Sequence, residues 1–273
     1  MRVVLISQIP QAVHGLTEFL RGLGHEPVAL LCTRQHANRY GGAFDALVQE
    51  APPELDVVIP ANRSGIAPLL RRYEPDLLIC VGFPWKIPAD ALAVPRLGAM
   101  NGHPSLLPWY RGPSPMSWAI RNGEREVGYT FHRMDADLDT GPILAQGTVE
   151  FGDEHSWEEL EPKLVGLIVE LLPKALSRVE RGDPGDRQPE GEGSYFSFFE
   201  PDYVWIDWSK PALEIYRQVR SWRFASASGK EHGALTELDG ETVRVLRVSL
   251  EPAQGRAMRT GDGTIWMVEG EPA

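Results

Sequence analysis

Residues 2–32 read RVVLISQIPQAVHGLTEFLRGLGHEPVALLC: an apolar run, a stretch with apolar residues at helical spacing, and a second apolar run. The two runs, RVVLI at 2–6 and PVALLC at 27–32, are nearly continuous, as expected of strands buried on both faces of a sheet. Two further runs, DVVIP at 56–60 and DLLICVG at 76–82, repeat the pattern, with the helix-compatible SGIAPLLRRYE at 64–74 between them. This alternation predicts a doubly wound, Rossmann-like, mostly parallel α/β sheet. The turn SQIPQAV at 7–13 lacks the glycines of a dinucleotide fingerprint, so the shape does not imply NAD or FAD.

The main unit is expected to close with the helical stretch 156–182, SWEELEPKLVGLIVELLPKALSRVERG, where the interior Pro173 should kink or divide the helix. The segment GDPGDRQPEGEGS at 182–194 then reads as an exposed connection. The expected organisation is a main unit at 1–181, a linker at 182–194 and a smaller β-rich unit at 195–273. In that last unit an aromatic-rich segment, SYFSFFEPDYVWIDW at 194–208, precedes a helix, KPALEIYRQVRSW at 210–222. Three strands follow, ALTELDG, TVRVLRVSLE and GTIWMVEG, with turns at Asp239-Gly240 and Asp262-Gly263. The aromatics from Phe196 to Trp208 are expected to form an interdomain or dimer contact, which leaves a homodimer open.

The 273 residues are 42% hydrophobic, enough for a full core and a second unit, and carry a net charge of -11. That charge disfavours nucleic acid as a partner. The two cysteines, Cys32 and Cys80, lie in apolar runs and read as buried thiols of a reducing compartment; no zinc or redox pattern exists, so no metal is expected. The first apolar run is too short for a signal-peptide core, and no run approaches the length of a membrane span. A cytoplasmic protein without membrane association is expected.

The chemistry is expected in residues 99–146, AMNGHPSLLPWYRGPSPMSWAIRNGEREVGYTFHRMDADLDTGPILAQ. Asn101 and His103 are two apart, so on an extended strand they leave the same face. The prolines and glycine of PSLLPWYRGPSP exclude regular structure and predict a fixed loop. A second loop, LDTG, places Asp139 between two strand-like runs, with Gly141 permitting the turn. A carboxylate bonded to one imidazole nitrogen would fix the tautomer while the other nitrogen moves a substrate proton, and Asn101 would donate to an oxygen gaining charge. Ser105 lacks the G-x-S-x-G setting of a nucleophile. His132 is assigned no catalytic role, and Trp109, Tyr110 and Arg111 serve either an anionic substrate or loop packing.

The stretches NGHPSLLP at 101–108, YRGPSPMSWAI at 110–120 and GYTFHRMDADLDTGPI at 128–143 resemble the signature of the formyltransferases that use 10-formyltetrahydrofolate. The tail, WIDWSKPALEIYRQVRSW and GALTELDGETVRVLRV, is more weakly similar to the linker and small open barrel of several members. The resemblance implies an N-formyltransferase whose catalytic positions match Asn101, His103 and Asp139, with 10-formyltetrahydrofolate as cosubstrate and tetrahydrofolate as product. It further implies a pterin site at the loops GFPWKIP and DADLDTG, with Phe83, Trp85 and Ile87 as walls and Asp137 and Leu138 lining it. For the acceptor, residues 200–273 hold nine Lys and Arg against twelve Asp and Glu, the tail is short, and SQIPQAV departs from the Gly-Thr-Pro usual in methionyl-tRNA formyltransferases. The expected acceptor is therefore a small-molecule amine: an amino sugar, an amino acid or a natural-product precursor. Methionyl-tRNA is the alternative, and a formyltetrahydrofolate hydrolase or a non-catalytic folate-binding protein comes after it.

Overall fold

Strand β1 (Arg2–Ser7) buries Val3 and Leu5 in one apolar core and Val4 and Ile6 in another. Successive side chains of a strand leave opposite faces, so a run of consecutive apolar residues serves both. The computed structural model describes residues 1–34, 43–225 and 233–273. After β1 come α1 (Pro10–Gly22), β2 (Glu26–Leu31), α2 (Ala43–Glu50), β3 (Asp56–Val58), α3 (Ile66–Leu70), β4 (Leu77–Val81), α4 (Ala89–Leu92) and β5 (Ala99–His103). Next are α5 (Pro115–Asn122), β6 (Glu126–Arg133), β7 (Ile143–Glu150) and α6 (Trp157–Glu180). The seven strands form one sheet in the order β3-β2-β1-β4-β5-β6-β7. The first five run parallel, whereas β6 and β7 are antiparallel additions at the β5 edge. The doubly wound, mostly parallel sheet expected from the apolar runs is thus the fold of this unit.

Helices α1 and α6 cover one face with Val13, Leu16, Leu20, Leu171, Leu172 and Leu176, and α3 covers the other with Ile66, Ala67 and Leu70. Cys32 lies in the first core and Cys80 in the second, so the sheet separates them and both are free thiols. Burial pushes the Cys80 thiol up to about 12. Helix α6 is not divided at Pro173: it runs for 24 residues through Pro162 and Pro173. A reciprocal Ser156–Glu159 capping box starts it, and the buried Leu171, Leu172, Ala175 and Val179 around Pro173 anchor it to the sheet. That packing outweighs the hydrogen bond each proline removes.

The carboxy-terminal unit has α7 (Ala212–Ala225) and strands β8 (Ala234–Leu238), β9 (Glu241–Ser249), β10 (Arg256–Arg259) and β11 (Thr264–Pro272). They form an antiparallel sheet in the order β10-β11-β9-β8 around a core of Ile206, Ile215, Val219, Ala234, Val245, Val248 and Ile265. Asp239 and Gly240, with φ of 54° and 87°, make the expected two-residue hairpin turn. Strand β10 is a further correction: RAMR is short and mostly exposed, so no apolar alternation marks it, and pairing with β11 alone makes it a strand.

The connection at 182–194 is no loose tether. Asp186 and Ile143 exchange backbone hydrogen bonds of 2.8 Å, and Arg111 N–H donates to the Ser194 carbonyl at 2.9 Å. The aromatics beyond it make an intrachain contact between the units, with Phe196 stacked on Trp118 at 4.5 Å and on Tyr110 at 5.3 Å. Arg217 and Arg220 of α7 reach Asp153, just beyond β7, at 2.6 and 3.4 Å. Among the described residues no helix is long and apolar enough to cross a membrane.

Candidate active site

Asn101 and His103 sit on β5, where the parallel part of the sheet ends, and project to one side with Gly102 between them. The glycine is required by a close approach, because a Cβ there would lie 2.4 Å from the Tyr129 hydroxyl. Asp139 arrives from the β6–β7 loop in the left-handed region, φ 59°, which a short polar side chain tolerates better than most. Gly141 in the same loop does not have positive φ. A Cβ there would meet the Arg133 carbonyl oxygen at 1.9 Å, so its role is close backbone approach rather than the turn conformation expected from the sequence.

The structure brings these three residues together and adds a fourth. His103 Nδ1 lies 3.6 Å from Asp139 Oδ1, and Asn101 Nδ2 lies 3.5 Å from the same oxygen. His132 Nε2 lies 3.2 Å from Asn101 Nδ2 and 3.6 Å from Asp139 Oδ1. His132, which the sequence assigned no catalytic role, is 2% exposed and so lies within this cluster rather than in solvent. The β5–β6 register puts it directly opposite Asn101, a non-local pairing that periodicity within one strand does not reveal. The register becomes the usable signal only once the two strands are known to pair.

Carbonyl contacts set the histidine tautomers. His103 Nε2 faces the Tyr110 carbonyl oxygen at 2.9 Å and His132 Nδ1 faces that of Arg133 at 2.8 Å. A carbonyl only accepts, so each of these nitrogens carries a hydrogen and the other nitrogen of a neutral ring presents a lone pair. The His103 tautomer is therefore held by a backbone carbonyl rather than by the carboxylate, and Nδ1 faces Asp139. Asn101 donates one amide hydrogen to His132 Nε2.

Burial lowers the His103 pKa from its ordinary 6.5, against the opposing pull of Asp139 and the Tyr110 carbonyl, which leaves a neutral ring able to take up a proton. Burial pushes Asp139 upward, but His132, His103 and the Gly112 N–H together outweigh it and hold the carboxyl below its ordinary 3.8. The Gly112 bond, to Oδ2, is 2.9 Å long. The site thus joins a neutral base, an anion beside it and an amide donor. Ser105 is buried with its hydroxyl donated to the Trp109 carbonyl at 2.7 Å.

The loops singled out for a flat ring lie side by side, with Lys86 Nζ 3.8 Å from Asp137 Oδ1. Trp85 and Ile87 belong to the second core at 7% and 3% exposure, whereas Phe83 packs half-buried over Trp85 and Leu138 is exposed. Trp109 is exposed, Tyr110 donates its hydroxyl to Glu124, and Arg111 bonds Gln188. A cavity of about 480 Å³ is lined by Leu106, Trp109, Tyr110 and Phe196, and Asn101, His103 and Asp139 are not among its lining residues. Among the described residues no cluster of three or more His, Cys, Asp or Glu side chains is placed to hold a metal.

Comparison with known proteins gives two family matches, formyl transferase over residues 34–176 and formyl transferase, C-terminal domain over residues 200–272. The first span contains Asn101, His103, His132 and Asp139. The chain is 33% identical to methionyl-tRNA formyltransferase of Anaeromyxobacter dehalogenans, covering 100% of this chain and 94% of that protein. It is also 33% identical to that of Trichlorobacter lovleyi, covering 68% of this chain but only 57% of the relative's length. Among solved structures, HypX from Aquifex aeolicus in complex with tetrahydrofolic acid superposes with a TM-score of 0.69 at 20% identity, over 100% of this chain and 44% of that one. A 4-N formyltransferase from Francisella tularensis does so with a TM-score of 0.67 at 19% identity, over 90% and 96%.

Proposed function

The chain belongs to the formyl transferase family, and from that premise we propose that it transfers a formyl group from 10-formyltetrahydrofolate to an amine nitrogen, with Asn101, His103 and Asp139 as its catalytic groups. The observation that carries the reading is the neutral, buried His103 with its Nδ1 turned toward the Asp139 carboxylate, whose same oxygen lies 3.5 Å from the Asn101 amide nitrogen. The amine nitrogen attacks the formyl carbon, a C–N bond forms, and the formyl oxygen becomes an oxyanion that accepts from Asn101. His103 Nδ1 takes the proton lost by the attacking nitrogen, and Asp139 stabilises the resulting imidazolium. The proton passes to the folate N10 as the C–N10 bond breaks, releasing tetrahydrofolate and the N-formyl product. In this reading Phe83 and Leu138 offer apolar surface to the pterin, Trp85 and Ile87 brace the loop beneath it, and Asp137 steadies the second loop through Lys86.

Two acceptors have separate support. The curated relatives are methionyl-tRNA formyltransferases, one matched over nearly its whole length, which brings methionyl-tRNA ahead of the small amine expected from the sequence. Charge favours the small amine: three of the four arginines of the small sheet pair with carboxylates, Arg244 with Glu271 at 2.8 Å, Arg247 with Glu269 at 3.5 Å and Arg256 with Asp239 at 2.6 Å. Cations paired in this way are less available to a phosphate backbone.

The deciding experiment follows tetrahydrofolate release from 10-formyltetrahydrofolate with methionyl-tRNA, with pooled amino sugars and amino acids, and with no acceptor. His103→Ala serves as the control. Release that needs one acceptor and is lost in the variant supports transfer and selects the acceptor. Acceptor-independent release with formate as product replaces transfer with hydrolysis, and folate binding without release removes catalysis from the reading.

A further inference from the structure

The segment between the two sheets carries a side chain whose hydrogen bonds all lead to the site. Gln188 Nε2 donates to the backbone carbonyls of Asp139 at 2.9 Å and Gly141 at 2.8 Å, while its Oε1 accepts from Arg111 Nε at 3.1 Å and Nη2 at 2.6 Å. The two carbonyls belong to the turn in which Asp139 holds its positive φ. Arg111 lies between Tyr110, whose carbonyl orients His103, and Gly112, whose N–H binds the Asp139 carboxylate. One primary amide therefore joins the two loops that supply the polar contacts of Asp139 and His103.

Only a primary amide meets both demands with one planar group. It offers two donors to two carbonyls and an acceptor to a guanidinium, whereas a carboxylate has no hydrogen to donate and an apolar residue of the same size has neither. The backbone around Gln188 is itself anchored on both sides, by the Asp186–Ile143 bonds and the Arg111–Ser194 bond. The amide is thus presented from a fixed strap rather than from a free linker.

We infer that Gln188 is a positioning residue that holds the Asp139 carboxylate against His103 and Gly112 by clamping the Asp139–Gly141 turn to the Arg111 loop. The inference rests on the catalytic roles proposed for Asp139 and His103, and it makes the strap between the units part of the machinery for transfer. Removing the amide leaves Asp139 in the chain but releases the turn that aims it. A displacement of about 1 Å is enough to cost up to about a hundredfold in rate.

The test compares the full-length chain with Gln188→Ala, Asp139→Asn and the double variant. Gln188→Ala is expected to lower kcat about tenfold or more while the KM for 10-formyltetrahydrofolate stays within about twofold. Hydrogen exchange at the Gly112 amide, which reports the carboxylate it binds, should quicken about fivefold or more. In the Asp139→Asn background the same substitution should cost no further kcat. Full additivity of the two kcat losses, or Gly112 exchange equal to that of the wild type, overturns the inference. If Gln188→Ala lowers the melting temperature, Gln188→Glu decides: it keeps the acceptor for Arg111, lacks the two donors and must reproduce the kcat loss, and full activity in it overturns the clamp. The exchange measurement needs no turnover. A wild-type chain that forms no product refutes the functional reading, while Gly112 exchange still decides whether Gln188 holds the carboxylate.

Discussion

The end of β5 in the large sheet and the small carboxy-terminal sheet place their ionisable groups differently. At the end of β5 His103, and opposite it on β6 His132, are 5% and 2% exposed, and their nitrogens meet carbonyls, an amide and one shared carboxylate. In the small sheet the buried Thr236 accepts from Trp208 Nε1, and an ion pair such as Arg256 with Asp239 lies toward solvent. Buried polar groups in a network are costly wherever a partner is lost, so in the function proposed above the first region serves the chemistry, whereas the second contributes stability.

Substitutions should separate the two regions. The largest effect is expected for His103→Ala, which removes the proton acceptor and should lower kcat by about 10²- to 10⁴-fold, measured as tetrahydrofolate release at saturating substrate. A loss below about tenfold would move the base elsewhere. Asn101→Ala should cost about a hundredfold or more in kcat, with folate KM much less changed, because the donor acts on charge that exists only in the transition state.

In the small sheet the expected loss is of a different kind. Ile265, 0% exposed, lies at the centre of its core. Ile265→Ala should reduce unfolding free energy by about 2–5 kcal/mol, read from urea denaturation, while kcat of the folded fraction is retained. A large kcat loss in folded protein would erase the division between the regions.

Acid should sharpen the contrast. His103 must be neutral to accept a proton, and burial lowers its pKa below 6.5, so activity should be flat near neutrality and fall only as the pH drops through that lowered value. A kcat/KM profile with its acidic limb above 6.5 would assign the limb to another group. The same depression means that the folded state binds this proton less readily than the unfolded chain, so this site withdraws stability as the pH falls below 6.5. The smallest effect is expected for Arg256→Ala, whose exposed pair with Asp239 should leave the denaturation midpoint unchanged within error, at low and at high salt.

Asn101, His103 and Asp139 were readable because each lies in a segment with a local mark: Asn101 and His103 share one strand, and Asp139 occupies the glycine-containing β6–β7 loop, so strand periodicity and turn composition marked them before any fold was known. His132 was missed because it joins the cluster through the register of β5 with β6. Gln188 was missed because its strap is polar and glycine-rich, a composition that reads as linker, while backbone pairing to Ile143 and Arg111 holds it in place. The tautomer of His103 escaped as well, since the orienting group is the Tyr110 carbonyl, and a backbone atom leaves no mark in side-chain identity.

The sequence by itself determined the parallel sheet, because consecutive apolar residues are the local consequence of burial on two faces, and it determined the β8–β9 hairpin through Asp239-Gly240. It also carried the three groups of the proposed chemistry. Only the tertiary structure decided that α6 continues through Pro173, that Gly141 answers a close approach rather than a turn angle, that His132 lies beside the Asp139 carboxylate, and that Gln188 bonds the backbone carbonyls of the Asp139–Gly141 turn. Those outcomes depend on contacts between residues far apart in the chain. Local patterning specifies which faces are buried, but only packing specifies which atoms meet there.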